Sequence, residues 1–143
     1  MMMSLNYVRK GSGTPLLLIH GLGGSWRSWE PILELLARSR DVIAIDLPGF
    51  GESPPLAENL TVNTLADSVA EFLREKRLLG VDAVGFSFGG HLAMELSRRK
   101  GVLGNVIALS PSAFCRGWER HYFYVIVLSS MWLTRLLSGA IQM

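Results

Sequence analysis

The chain has 143 residues, of which 49% are hydrophobic and 18% charged, with a formal net charge of +2. That length suits one domain with one core, and that composition excludes a disordered chain. The slight excess of Lys and Arg gives no basic face, so nucleic acid is not an expected partner. The two basic runs, Arg74 to Arg77 and Arg98-Arg99-Lys100, fall where helices are expected to end and complement the helix dipole there.

In chain order, Leu5 to Arg9 reads as a first strand, expected to turn through Gly11-Ser12-Gly13 and pair with the next, Leu16 to Ile19. Trp26 to Arg38 has a helical pattern, with Pro31 marking a start inside it. Val42 to Ile45 is another short apolar strand. The clearest helix spans Thr61 to Leu79: Thr61 suits an N-cap, and Val62, Leu65, Val69, Phe72 and Leu73 share one face. Val81 to Phe86 is a strand, Phe88 to Lys100 a helix closed by Gly101, and Asn105 to Leu109 a further strand. Short apolar runs alternating with helices predict an α/β fold, doubly wound, with a mostly parallel sheet of about five strands and helices on both faces.

Three segments sit where strands end, and each has the residue types of a site. Gly85-Phe86-Ser87-Phe88-Gly89-Gly90 is a G-x-S-x-G match with a strand leading in and a helix leading out. A serine on so tight a turn projects its hydroxyl above the sheet, and the glycines let strand and helix approach closely. His20-Gly21-Leu22-Gly23-Gly24 is a Gly-rich turn that can present backbone N–H groups to a ligand. Asp46-Leu47-Pro48-Gly49-Phe50-Gly51-Glu52-Ser53 follows the Val42 strand and has turn chemistry throughout.

All three motifs, in this order over roughly residues 5 to 113, resemble those of the α/β-hydrolase family. The resemblance implies a serine hydrolase with Ser87 as nucleophile and the backbone N–H groups of Leu22 and Phe88 as an oxyanion hole. It gives His20, Gly21, Gly85, Gly89 and Asp46 supporting roles, and it implies neither a cofactor nor a metal. A small apolar ester or acyl compound is the expected substrate, with esterase, lipase, thioesterase and C–C bond hydrolase undistinguished. Residues 1–113 would form a partial hydrolase core, and 114–143 the start of a helical cap or lid. The aromatics Trp118, Tyr122, Phe123, Tyr124 and Trp132 fall in that cap segment and are expected as core.

In this family the acid and the histidine of the triad follow the nucleophile. After Ser87 the sequence offers only Glu95, Glu119, His91 and His121, none placed after a recognisable strand beyond Asn105 to Leu109, and Ser110-Pro111-Ser112 occupies one alternative acid position. The triad therefore reads as incomplete, and the chain as a fragment or truncated product of weak or no activity. A naturally short protein completed by dimerisation is the other account. The last strand would then be an open edge, available for self-association. A lone Cys115, no signal-peptide pattern and no apolar run long enough to span a membrane point to the cytoplasm.

Two readings from other classes stay open. One is a non-catalytic α/β-fold binding module. The other is a nucleotide-binding domain, opposed by Trp26 standing where a dinucleotide turn needs its third glycine.

Overall fold

A computed structural model describes residues 4–110; the expected cap segment, 114–143, lies outside the described residues. Five strands form one sheet: β1 (Tyr7–Lys10), β2 (Pro15–Ile19), β3 (Asp41–Ile45), β4 (Val81–Phe86) and β5 (Leu103–Leu109). Three helices connect them: α1 (Glu30–Ala37), α2 (Val62–Glu75) and α3 (Phe88–Ser97). The spatial order is β1-β3-β2-β4-β5, with β1 antiparallel and the other four parallel. The expected α/β architecture is what the chain adopts.

One pairing differs from expectation. β1 pairs with β3, not β2, in the register Tyr7 with Ile45 through Lys10 with Val42. The reason lies in the connection. Gly11 and Gly13 have φ of 91° and 106°, and the loop crosses the end of α1 so closely that a Cβ at Gly11 would sit 2.2 Å from the Arg40 carbonyl oxygen. The chain thus passes over β3 before entering β2. Burial favours the same outcome: Leu17, Leu18 and Ile19 are fully buried between two neighbours, as a central parallel strand should be. β1 carries Arg9 and Lys10, which suit an edge; Arg9 grips Asp41 of β3 through Nε (3.0 Å) and Nη2 (2.6 Å).

Side-chain alternation along the strands divides the core into two layers. Leu17, Ile19, Ile43 and Ile45 face α2 and α3, where they meet Leu65, Val69, Phe72, Leu73, Leu92 and Leu96. Leu16, Leu18, Val42 and Ala44 face the other way, onto Trp29 and Leu33. Helices therefore cover both faces, as expected. Each fully buried Leu or Phe contributes about 1.5–3 kcal/mol relative to exposure.

Helix boundaries follow local chemistry. The Trp26 to Arg38 segment splits into a 3-10 turn at Trp26–Trp29 and then α1, with Pro31 in the first turn, where its missing N–H costs nothing. α2 starts at a reciprocal cap in which Thr64 N–H donates to Thr61 Oγ1 (3.1 Å) and Thr61 N–H to Thr64 Oγ1 (2.9 Å). It ends at Glu75, earlier than the apolar pattern suggests, because Arg77 adopts a left-handed φ of 58°. α3 likewise stops at Ser97, short of Lys100. No helix among the described residues is long and apolar enough to cross a membrane.

Candidate active site

The three motifs converge at the carboxyl ends of β2, β3 and β4, where open parallel sheets place their ligands. At the end of β4 the chain reverses into α3 through Ser87, whose φ of 52° and ψ of −117° lie outside the regions a side chain normally allows. Two contacts enforce this turn. A Cβ at Gly85 would lie 2.2 Å from the Gly89 carbonyl oxygen, and one at Gly89 would lie 2.3 Å from that of Ile19. Strand, helix start and the neighbouring strand therefore touch backbone to backbone, and only glycine fits.

The Ser87 side chain makes no capping hydrogen bond to its helix, and the residue is half-buried. Its backbone is tied down instead, with Ser87 N–H donating to the Leu109 carbonyl at 2.8 Å. The loop after β2 lies directly beside it, since a Cβ on Gly21 would come within 3.3 Å of Ser87 Cβ. Turn hydrogen bonds in the two loops use the N–H groups of Gly24, Gly90 and His91. They leave those of Leu22 and Phe88 without a carbonyl partner among the described residues. Phe88 opens α3, so its N–H also carries the positive end of the helix dipole.

His20 is fully buried and stitches two loops together. Its Nε2 accepts from Leu47 N–H (3.0 Å), so the ring proton sits on Nδ1, which donates to the Gly21 carbonyl (2.7 Å). Burial pushes its pKa below the ordinary 6.5, against the opposing pull of the Gly21 carbonyl and Asp46. Neither ring nitrogen is free to take a proton from a neighbour.

Asp46 is the second brace. Oδ1 accepts from Trp26 N–H (2.6 Å), and Oδ2 accepts from Asn6 Nδ2 (2.8 Å) and Glu52 N–H (2.9 Å). Burial opposes its ionisation, but these hydrogen bonds outweigh burial and hold the carboxyl below its ordinary value. Gly51, at φ 54°, must be glycine because a Cβ there would strike the Asp46 carboxylate at 2.2 Å. Both Asp46 oxygens are engaged inside the protein, which leaves none to receive a ribose hydroxyl.

Asn6 and Ser53 belong to the same network, and the sequence reading did not single them out. Ser53 Oγ donates to the Asp46 carbonyl (2.7 Å) and accepts from Asn6 N–H (2.8 Å), joining the segment before β1 to the loop after β3. Ser53 closes the Asp-x-Pro-Gly-x-Gly-x-Ser motif, which was a usable signal; Asn6 had none.

A cavity of about 310 Å³ opens beside the site, lined by Gly21, Leu22, Ser28, Trp29, Ile32 and Phe86, among others. Its walls are mainly apolar. The Trp29 indole N–H, buried in this wall, has no acceptor among the described residues. His91, one turn into α3, lies with its ring 6.5 Å from that of Phe88, and Ser87 Oγ makes no hydrogen bond to an imidazole or carboxylate among the described residues.

This arrangement of sheet, glycine-pinched serine turn and braced glycine loop is that of the α/β hydrolase fold, and the chain belongs to that family, which it matches over residues 14–119. Among curated relatives it is 39% identical over 94 residues to the dihydrolipoyllysine-residue acetyltransferase component of the acetoin cleaving system of Cupriavidus necator. That alignment covers 65% of this chain and 25% of the relative. It is 32% identical over 115 residues to the (E)-2-((N-methylformamido)methylene)succinate hydrolase of Acinetobacter baylyi, covering 76% of this chain and 44% of that enzyme. Among solved structures, a marine microorganism esterase superposes with a TM-score of 0.68 at 31% identity, covering 73% of this chain and 40% of the esterase. The chain thus spans less than half the length of these relatives.

Proposed function

We propose that the chain carries the nucleophile half of a serine hydrolase that acts on carboxylic esters or related acyl compounds through Ser87. Ser87 Oγ would attack the acyl carbon, and the oxyanion would form between the N–H groups of Leu22 and Phe88, which have no other carbonyl partner among the described residues. Gly21, Gly85 and Gly89 permit the close backbone approach this needs, while His20 and Asp46 hold the loops and transfer no proton. The apolar cavity beside the turn suits a small apolar ester or acyl group.

One observation carries this reading. A non-glycine residue keeps a backbone conformation costing about 1–3 kcal/mol, and its side chain gains no capping bond in return. Strain of that kind is retained where a side chain must project. A serine hydroxyl still needs a base and a carboxylate that orients the base. None reaches Ser87 among the described residues. In this reading 1–113 is a partial core and 114–143 the start of a cap, and the lone Cys115 fits a reducing, cytoplasmic setting.

The same lack of a base favours a second reading, a non-catalytic binding module on this fold. A fluorophosphonate probe separates the two. Slow labelling of Ser87, abolished in Ser87→Ala, is the expected result; a folded sample that takes no label would favour the binding module.

A further inference from the structure

The buried carboxylate of Asp46 belongs to none of the ion pairs among the described residues. Its charge rests on neutral donors: the N–H groups of Trp26 and Glu52 and the side-chain amide of Asn6. A carboxylate accepts and cannot donate, which orients the Asn6 amide with Nδ2 toward Oδ2 (2.8 Å). The Asn6 backbone is held on both sides. Asp46 N–H donates to the Asn6 carbonyl (2.8 Å), and Asn6 N–H donates to Ser53 Oγ (2.8 Å). The amide therefore acts from a fixed base, just before β1.

The other oxygen of that carboxylate, Oδ1, accepts from Trp26 N–H (2.6 Å), and Trp26 begins the 3-10 turn directly after the glycine loop. The carboxylate is planar, so fixing Oδ2 aims Oδ1. Two residues earlier, Gly24 N–H donates to the Gly21 carbonyl (3.1 Å), which also accepts from His20 Nδ1 (2.7 Å). That carbonyl belongs to the same peptide as Leu22 N–H. In a trans peptide the two point in opposite directions, so whatever holds the carbonyl aims the N–H. Glycine at 21, 23 and 24 leaves the loop little stiffness of its own, and its far anchor at Trp26 sets where Gly24 sits.

We propose that Asn6 is a positioning residue of this loop: through Asp46 and Trp26 its amide keeps Leu22 N–H directed at the site beside Ser87. The proposal rests on the reading of Leu22 N–H as an oxyanion donor. It brings a residue outside all three motifs into control of the reaction rate. Asn6 touches no substrate and moves no proton.

Saturation kinetics of fluorophosphonate labelling at Ser87 test this, because phosphonylation also builds negative charge on an oxygen facing those N–H groups. Complete loss of one oxyanion donor costs about 10²–10³ in rate. A misaimed donor in Asn6→Ala should lower the maximal labelling rate about tenfold and leave the half-saturating probe concentration within about twofold. Arg9→Ala, which loosens the grip of β1 on Asp41, should leave both unchanged. Asn6→Asp keeps the shape but sets a second carboxylate against Asp46. Its rate relative to wild type should be low near about pH 8 and recover towards about pH 5.5, as one proton shared by the pair restores a donor. A general loosening of the fold would give no such recovery. Amide exchange gives a readout that does not involve the serine. The N–H groups of Trp26 and Gly24 should exchange about tenfold faster in Asn6→Ala, with Leu17 to Ile19 unchanged. If the wild type takes no label, the serine reading falls and exchange alone decides on the loop. If Asn6→Ala does not fold by far-UV circular dichroism, Asn6→Asp carries the test. Equal labelling of wild type and Asn6→Ala, an equal loss in Arg9→Ala, a flat pH ratio in Asn6→Asp, or unchanged exchange at Trp26 and Gly24 would each overturn the proposal.

Discussion

The serine turn and the loop pair beside it are held by different physics. Around Ser87 the constraint is steric: backbones of β4, α3 and β2 meet where any Cβ would overlap a carbonyl oxygen, and the Ser87 side chain contributes no capping bond. Around His20 and Asp46 the constraint is polar: two buried side chains engage five partners drawn from three separate stretches of chain. The first should fail abruptly when volume is added, and the second gradually when charge is changed. The backbone of Ser87 is held by its own hydrogen bonds and its side chain takes no part in capping, which leaves the hydroxyl free.

The largest effect should come from adding one methyl group to the steric side. In Gly89→Ala the new Cβ would lie 2.3 Å from the Ile19 carbonyl oxygen and 2.4 Å from that of His20, and neither backbone can withdraw without moving β2. Overpacking costs about 1–3 kcal/mol, occasionally more. With backbone on both sides, the loss should reach at least about 3 kcal/mol by urea denaturation, or prevent folding. Gly23→Ala is the matched control: nothing lies within 4 Å of its Cβ position, so only its left-handed φ of 75° opposes the change, at about 1 kcal/mol. Equal losses at the two glycines would remove the steric account of the turn.

Much of this was legible in the sequence, and what was not has a physical reason. The strand cores Leu16 to Ile19 and Val42 to Ile45 are unbroken apolar runs, and strands buried on both faces have to read that way. Pro31 disclosed where α1 begins, because proline is tolerated in few helical positions. The partner of β1 was not legible. Its four residues could pair with either neighbour, and the choice is made by Gly11 crossing the end of α1, a contact between residues far apart in sequence. Among the site residues, Ser87, His20 and Asp46 stood inside motifs with local turn signals. Asn6 did not: it joins the network through Asp46 and Ser53, 40 and 47 residues away, and no local pattern encodes that.

The polar side should respond to acid. The folded-state pKa of His20 lies below its ordinary 6.5, so the unfolded chain binds the extra proton first as pH falls. Stability from this group is complete above about pH 6.5 and declines as the pH drops below it, until the folded-state value is passed. Protonation also turns Nε2 from acceptor into donor and breaks its bond from Leu47 N–H, so the two loops should part in that window. This costs a hydrogen bond and not a backbone overlap, and should be the milder loss. Urea midpoints between pH 7.5 and 5 would record it. His20→Gln should flatten the slope, and a wild-type slope unchanged in that variant would place the titrating group elsewhere.

The smallest effect should have the opposite sign. Ser87 holds φ 52° and ψ −117°, a conformation a Cβ opposes and glycine tolerates, and no capping bond from its side chain offsets the strain. Ser87→Gly should therefore stabilise the fold by about 1 kcal/mol, the strain relief being partly cancelled by the greater entropy of glycine in the unfolded chain. Ser87→Ala keeps the Cβ and the strain, so it should be neutral within about 0.5 kcal/mol. Both should lose fluorophosphonate labelling alike. Stability that rises when the hydroxyl-bearing residue is removed is the pattern expected of a position kept for its chemistry. If Ser87→Gly instead lost as much stability as Gly89→Ala, the serine would be part of the packing that holds the turn, and the division between its free hydroxyl and the steric clamp around it would fail.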